Sequence, residues 1–88
     1  MSSQAILVGG FHEMLDLAES CGVQIVGILD PHLHGSFRGV PILGNDASAA
    51  AVLADFPGVP LVLTPDNPAA RRRLAGQYRA LGATFRTL

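Results

Sequence analysis

The chain has 88 residues, 49% hydrophobic and 15% charged, with a mean hydropathy of +0.37. That is one domain, too apolar for disorder and too short for a second core. A net charge of −1 gives no global case for nucleic acid or an anionic membrane. No apolar run reaches the roughly 18 residues of a bilayer span, and Met1-Ser-Ser-Gln4 lacks the basic region of a signal peptide, so a cytoplasmic location is expected. The single cysteine, Cys21, excludes an internal disulfide framework.

Gln4-Ala-Ile-Leu-Val8, stopped by Gly9-Gly10, reads as a buried strand entering a tight turn. Phe11, Met14, Leu15, Ala18 and Cys21 then follow helical spacing, with Gly22 as the natural stop, which makes Cys21 an inert core thiol. Gln24–Leu29 is a second strand, apolar on both faces as in a covered parallel sheet, and it ends at Asp30-Pro31. Residues 31–40 read as loop and Val40–Leu43 as a short extended segment. Asn45 or Asp46 caps an Ala-rich helix over about 47–55. Leu61–Leu63 is a third strand and Thr64-Pro-Asp-Asn67 a turn. Pro68 opens a helix with Ala70, Leu74, Tyr78 and Leu81 on one stripe, ending at Gly82. Thr84–Thr87 reads as a final strand. The order predicts one α/β domain over residues 1–88, a small Rossmann-like three-layer fold with a parallel sheet of about four strands.

All six bases are Arg, which removes the P-loop lysine and Schiff-base chemistry. Residues 1–66 hold seven acids and Arg38, a net −6, whereas residues 67–88 hold five Arg and no acid. This reads either as a basic helix on an acidic body or as an anion- or partner-facing edge.

Ligands of open parallel sheets bind outside the strand carboxyl ends, here Gly9-Gly10-Phe11-His12, Asp30-Pro31 and Thr64–Asn67. The glycines let a ligand approach backbone N–H groups at a helix start. Asp30, twenty residues past Gly10, stands where dinucleotide folds place a ribose-binding acid, but the full G-x-G-x-x-G fingerprint is absent. The pattern is open between a nucleotide-type site and glycines that only make the turn. His12 reads as either a ligand contact or an ordinary surface histidine. Asp30-Pro-His32-Leu-His34 has metal-ligand spacing in an extended segment, yet the loop context favours solvated histidines, and no metal is expected. Ser20, Ser36 and Ser48 have no His/Asp partner by spacing. Arg71-Arg72-Arg73 fans over about 200° of a helix, so only one or two can face any one surface.

Gln24-Ile-Val-Gly-Ile-Leu-Asp30 and Gly39-Val-Pro-Ile-Leu-Gly44, with Asn67, Arg71-Arg72 and Gly82-Ala-Thr-Phe-Arg-Thr-Leu88, resemble the N-terminal domain of bacterial sugar acyltransferases. The family is the sialic-acid O-acetyltransferase and bacillosamine N-acetyltransferase (NeuD/PglD-like) type. The similarity covers essentially the whole chain, and its specific part is Asp30 with Gly39–Gly44. It implies a domain that binds a nucleotide-sugar acceptor, a UDP-sugar first, through Gly9, Gly10, Phe11, His12, Asp30 and Asn67. It also implies no catalytic residue here. Acetyl-CoA and the catalytic histidine would belong to a hexapeptide-repeat domain after Leu88, leaving no cofactor in this one. Self-association stays open. The alternatives are a non-catalytic interaction or regulatory module using the basic helix, and an NAD- or CoA-binding Rossmann remnant.

Overall fold

A computed structural model describes residues 3–10, 12–64, 67–86 and 88. The elements run β1 (Ser3–Val8), α1 (His12–Ser20), β2 (Val23–Leu29), β3 (Ser36–Phe37), β4 (Val40–Gly44), a 3-10 turn (Asp46–Ser48), α2 (Ala49–Asp55), β5 (Leu61–Leu63) and α3 (Pro68–Arg79). The sheet order is β3-β4-β2-β1-β5. β1 pairs in parallel with β2 and β5, and β2 with β4, while β3 and β4 are antiparallel. The molecule is therefore α/β with a mostly parallel five-stranded sheet.

The strand alternation of β1 divides the core into two clusters. Ala5 and Leu7 pack with Leu15 and Ala18 of α1, together with Val23, Ile28 and Val62. Ile6 and Val8 pack with Val52 of α2 and with Leu74 and Tyr78 of α3. β2 likewise feeds both clusters, and the register shift against β1 between Ala5 and Ile6, opposite Val26, is why Val23 and Ile25 share a face with the even-numbered Ile28. Gly27 follows this shift, and a Cβ there would collide with the Leu43 side chain. Glycine leaves the space that the Leu43 side chain of β4 fills.

Several expectations need correction. The sheet has five strands rather than about four, because the segment read as loop contains β3. The residues between β3 and β4 are Arg38, at φ 52°, and Gly39, at φ 81°, closed by the Phe37–Val40 pair. Two positive φ values in a two-residue loop define a type I′ hairpin, which matches the strand twist. Cys21 is exposed rather than a core thiol, because α1 stops at Ser20 and the chain turns through Gly22 at φ 72°. Leu81 is likewise 44% exposed, since α3 ends at Arg79 and the helical stripe does not extend to it. The expected last strand reduces, among the described residues, to a single parallel bridge between Phe85 and Leu61.

Pro68 stands at the start of α3 as expected, and Asn67 caps that helix, its Oδ1 accepting from Ala69 and Ala70 at 2.9 and 3.2 Å. The expected cap of the Ala-rich helix is corrected: Asn45 Oδ1 accepts from the Ala47 N–H at 2.9 Å and closes the 3-10 turn, while α2 begins only at Ala49, with Ser48 as an N-cap that makes no side-chain bond. Among the described residues no helix is long and apolar enough to cross a membrane.

Candidate functional site

The chain leaves β1 toward β2 on one side, and later crosses from β4 to β5 on the other side of β1. The carboxyl ends of β1 and β5 therefore flank the point where the strand order reverses, the usual ligand position in open parallel sheets. Backbone bonds stitch the carboxyl ends of the four parallel strands together. Gly9 N donates to Leu29 O at 2.8 Å, Asp30 N to Gly44 O at 2.9 Å, and Thr64 N to Val8 O at 3.3 Å. The buried Thr64 hydroxyl adds a second bond to Val8 O at 2.6 Å. Gly9 sits at φ 97°, a conformation that glycine adopts without a Cβ penalty.

Asp30 joins two of the loops. Its Oδ2 accepts from Gly10 N at 2.9 Å, and its Oδ1 accepts from His32 N at 2.7 Å and Leu33 N at 3.2 Å. One oxygen thus fixes the glycine turn after β1 while the other folds the chain after β2 into an Asx-type turn. Burial pushes this carboxyl up in pKa. The N–H donors of Gly10, His32 and Leu33, with the nearby His32 imidazole, outweigh that and hold it below its ordinary value. Leu33 closes against the same turn, since a Cβ on Gly10 would collide with its side chain.

Beside this clamp a cavity of about 160 Å³ opens at the ends of β2 and β4, lined by Asp30, Leu33, His34, Gly44, Asn45 and Ser48. Ligand pockets usually measure about 300–1,000 Å³, so this one fits a single ring or a phosphate, and a larger ligand would extend onto the surface.

Of the sequence-predicted residues, Gly9, Gly10 and Asp30 come together. His12, the first residue of α1, is exposed, with its ring 4.6 Å from that of Phe37 at an interplanar angle of 42°. Asn67 follows β5, but its side-chain oxygen is engaged in capping α3. Phe11 lies outside the described residues. His32 and His34 are exposed, and among the described residues no three His, Cys, Asp or Glu side chains group as a metal site.

Sequence reasoning missed Arg38. From the hairpin turn its Nη1 donates to His12 O at 2.9 Å and its Nη2 pairs with Asp16 Oδ1 at 2.7 Å, tying the hairpin to the first turns of α1. The available signal was an X-Gly pair between Phe37 and Val40, weaker than Asn-Gly because arginine rarely takes positive φ. Arg38→Ala keeps that strain and loses the tie, whereas Arg38→Gly loses the tie and relieves the strain. Thermal melts should therefore place Arg38→Gly above Arg38→Ala by about 1 kcal/mol, or roughly 4–8 °C. Equal melting temperatures would show that the turn is unstrained.

No family model, curated protein or solved structure matches this chain.

Proposed function

We propose that the chain is a Rossmann-like three-layer domain that binds a nucleotide sugar at the carboxyl ends of β1, β2 and β4, as the acceptor-binding part of a sugar acyltransferase. The observation that carries this reading is the Asp30–Gly10 bond, which holds a glycine turn rigidly at the start of a helix. The N–H groups of Gly9 and Gly10 are taken by Leu29 O and Asp30 Oδ2, so the turn acts by fixing the start of α1 at His12. The first-turn N–H groups of that helix have no intrahelical acceptor and would meet the phosphate without a further ordering cost. The cavity next to Asp30 has polar walls in His34, Asn45 and Ser48 and suits the ribose or sugar ring. Two core clusters, with α1 contributing to one and α2 and α3 to the other, support the layered arrangement. No residue of this site is assigned a catalytic role, and acetyl-CoA would act on a domain other than this one.

A thermal-shift panel of UDP, UDP-N-acetylhexosamines, CMP-sugars, NAD and CoA tests the reading. A ligand at about 100 times its Kd adds roughly 2.7 kcal/mol, which for a domain of this size raises Tm by on the order of 10–20 °C. A shift confined to UDP or CMP compounds is the expected result. A shift with NAD or CoA alone would replace this reading with the cofactor-remnant alternative, and no shift with any compound would overturn it in favour of a protein-interaction module.

A further inference from the structure

The outward face of α3 has an unusual make-up. At about 100° per residue, Ala69, Gly76 and Ala80 fall within about 40° of one another, opposite the buried Leu74 and Tyr78. Arg72 and Arg79 border this stripe on one side and Arg73 on the other, and all six residues are exposed. A Cβ built on Gly76 would meet nothing within 4 Å, so the stripe lies open and is hollow only relative to the longer arginine side chains that border it. Residues 68–79 contain four Arg and no acid.

The outward face of α1 has the opposite character. Leu17 projects from it at 42% exposure, and with Leu81 it makes up the exposed large apolar side chains among the described residues. Glu13 stands one turn before Leu17, about 40° from it, on a helix with no Lys or Arg, whereas Asp16 and Glu19 lie further round. Asp16 is paired with Arg38, so Glu13 carries the charge beside Leu17.

We propose that a second copy of this chain docks through these two faces, Leu17 of one copy entering the Ala69–Gly76–Ala80 hollow of the other. Glu13 then meets the Arg72–Arg79 border. An apolar knob opposite a hollow removes apolar area from water, and the opposed charges orient the approach. A polyanion would satisfy the arginines but leave Leu17 uncovered. α1 and α3 belong to different core clusters, so one copy does not use both faces on the same partner surface. The contact is heterologous: each added copy keeps one free α1 and one free α3, and assembly continues head to tail. One helix face against another is smaller than a stable interface of about 1,000 Å² or more, so the association is weak and salt-sensitive.

Sedimentation velocity on the 88-residue chain tests this at about 20 mM and about 300 mM salt, where the screening length differs more than threefold. At low salt the average mass should climb with concentration past twice the 9.2 kDa of the chain without a plateau, and at high salt it should return to 9.2 kDa. Leu17→Ala, which changes no charge, should weaken association about tenfold. Arg72→Glu with Arg79→Glu disables α3, and Leu17→Arg disables α1, so each variant alone should stay monomeric. Mixed one to one, they should form a species of twice the chain mass and nothing heavier, because each supplies the face the other lacks. A wild-type chain that stays at 9.2 kDa, a plateau at the dimer, or a mixture that remains monomeric would each overturn the proposal.

Discussion

Tyr78→Ala should cost about 3–5 kcal/mol, the largest loss expected from any single truncation in this domain. Tyr78 is fully buried and heads the largest side chains of the core, where it packs in one cluster with Ile6, Leu61 and Leu74. It is the main anchor of α3 on the sheet, since Leu74 is the other buried residue of that helix. A domain of 88 residues has about 4–13 kcal/mol of total stability, so the variant forfeits a large part of it. Its Tm should fall by on the order of 20 °C or more, with the urea midpoint falling and the m-value unchanged. Leu81→Ala, only three residues on, should cost no more than about 0.5 kcal/mol because that side chain is 44% exposed and belongs to neither core cluster. Similar losses at the two positions would mean that α3 extends to Leu81 and packs there.

The contrast between Tyr78 and Leu81 also shows what the sequence encodes and what it leaves out. Apolar runs and helical periods identified β1, β2, β5, α1 and α3, because each buries enough apolar surface to impose its period on the chain. Periodicity alone does not say where a helix stops, so it extends the stripes to Leu81 and Cys21, both beyond the last helical turn. β3 escaped because two residues, Ser36 and Phe37, hold no period at all. Its existence depends on the Arg38-Gly39 turn and on pairing with β4. At the site, the residue types at the strand ends were legible and their partners were not. Asp30 was visible as an acid after an apolar strand. That its carboxylate reaches Gly10 follows only from β1 and β2 lying side by side. Asn67 illustrates the opposite case, since the Asn-Pro pair that marked a ligand-side turn is equally the signature of a helix N-cap, and the side chain serves there.

Asp30→Ala should weaken the fold and the proposed site together. The substitution leaves the N–H groups of Gly10, His32 and Leu33 without their acceptor. Hydrogen bonds to a charged group contribute about 1.5–3 kcal/mol where they are sheltered. These are part-buried or exposed, so we expect a total of about 2–3 kcal/mol and a Tm lower by on the order of 10–20 °C. Asp30→Asn keeps one acceptor oxygen of the side chain, and its loss should be about half as large. The pH dependence separates a charge effect from a packing effect. The carboxyl of Asp30 titrates below its ordinary value in the folded chain, so folding favours the ionised form. That contribution is fully present above the unfolded value of about 3.9 and is lost as pH falls through the lower folded value. The gap between wild type and Asp30→Asn should therefore be constant near neutrality and close as the pH is taken below about 4. A gap that persists in acid would mean that the side chain acts by shape alone. In the nucleotide panel, Asp30→Asn melts near enough to wild type that the folded domain can still be assayed. A ligand shift that survives in it unchanged would place the ligand away from the Gly10 turn, while leaving the structural role of the clamp intact.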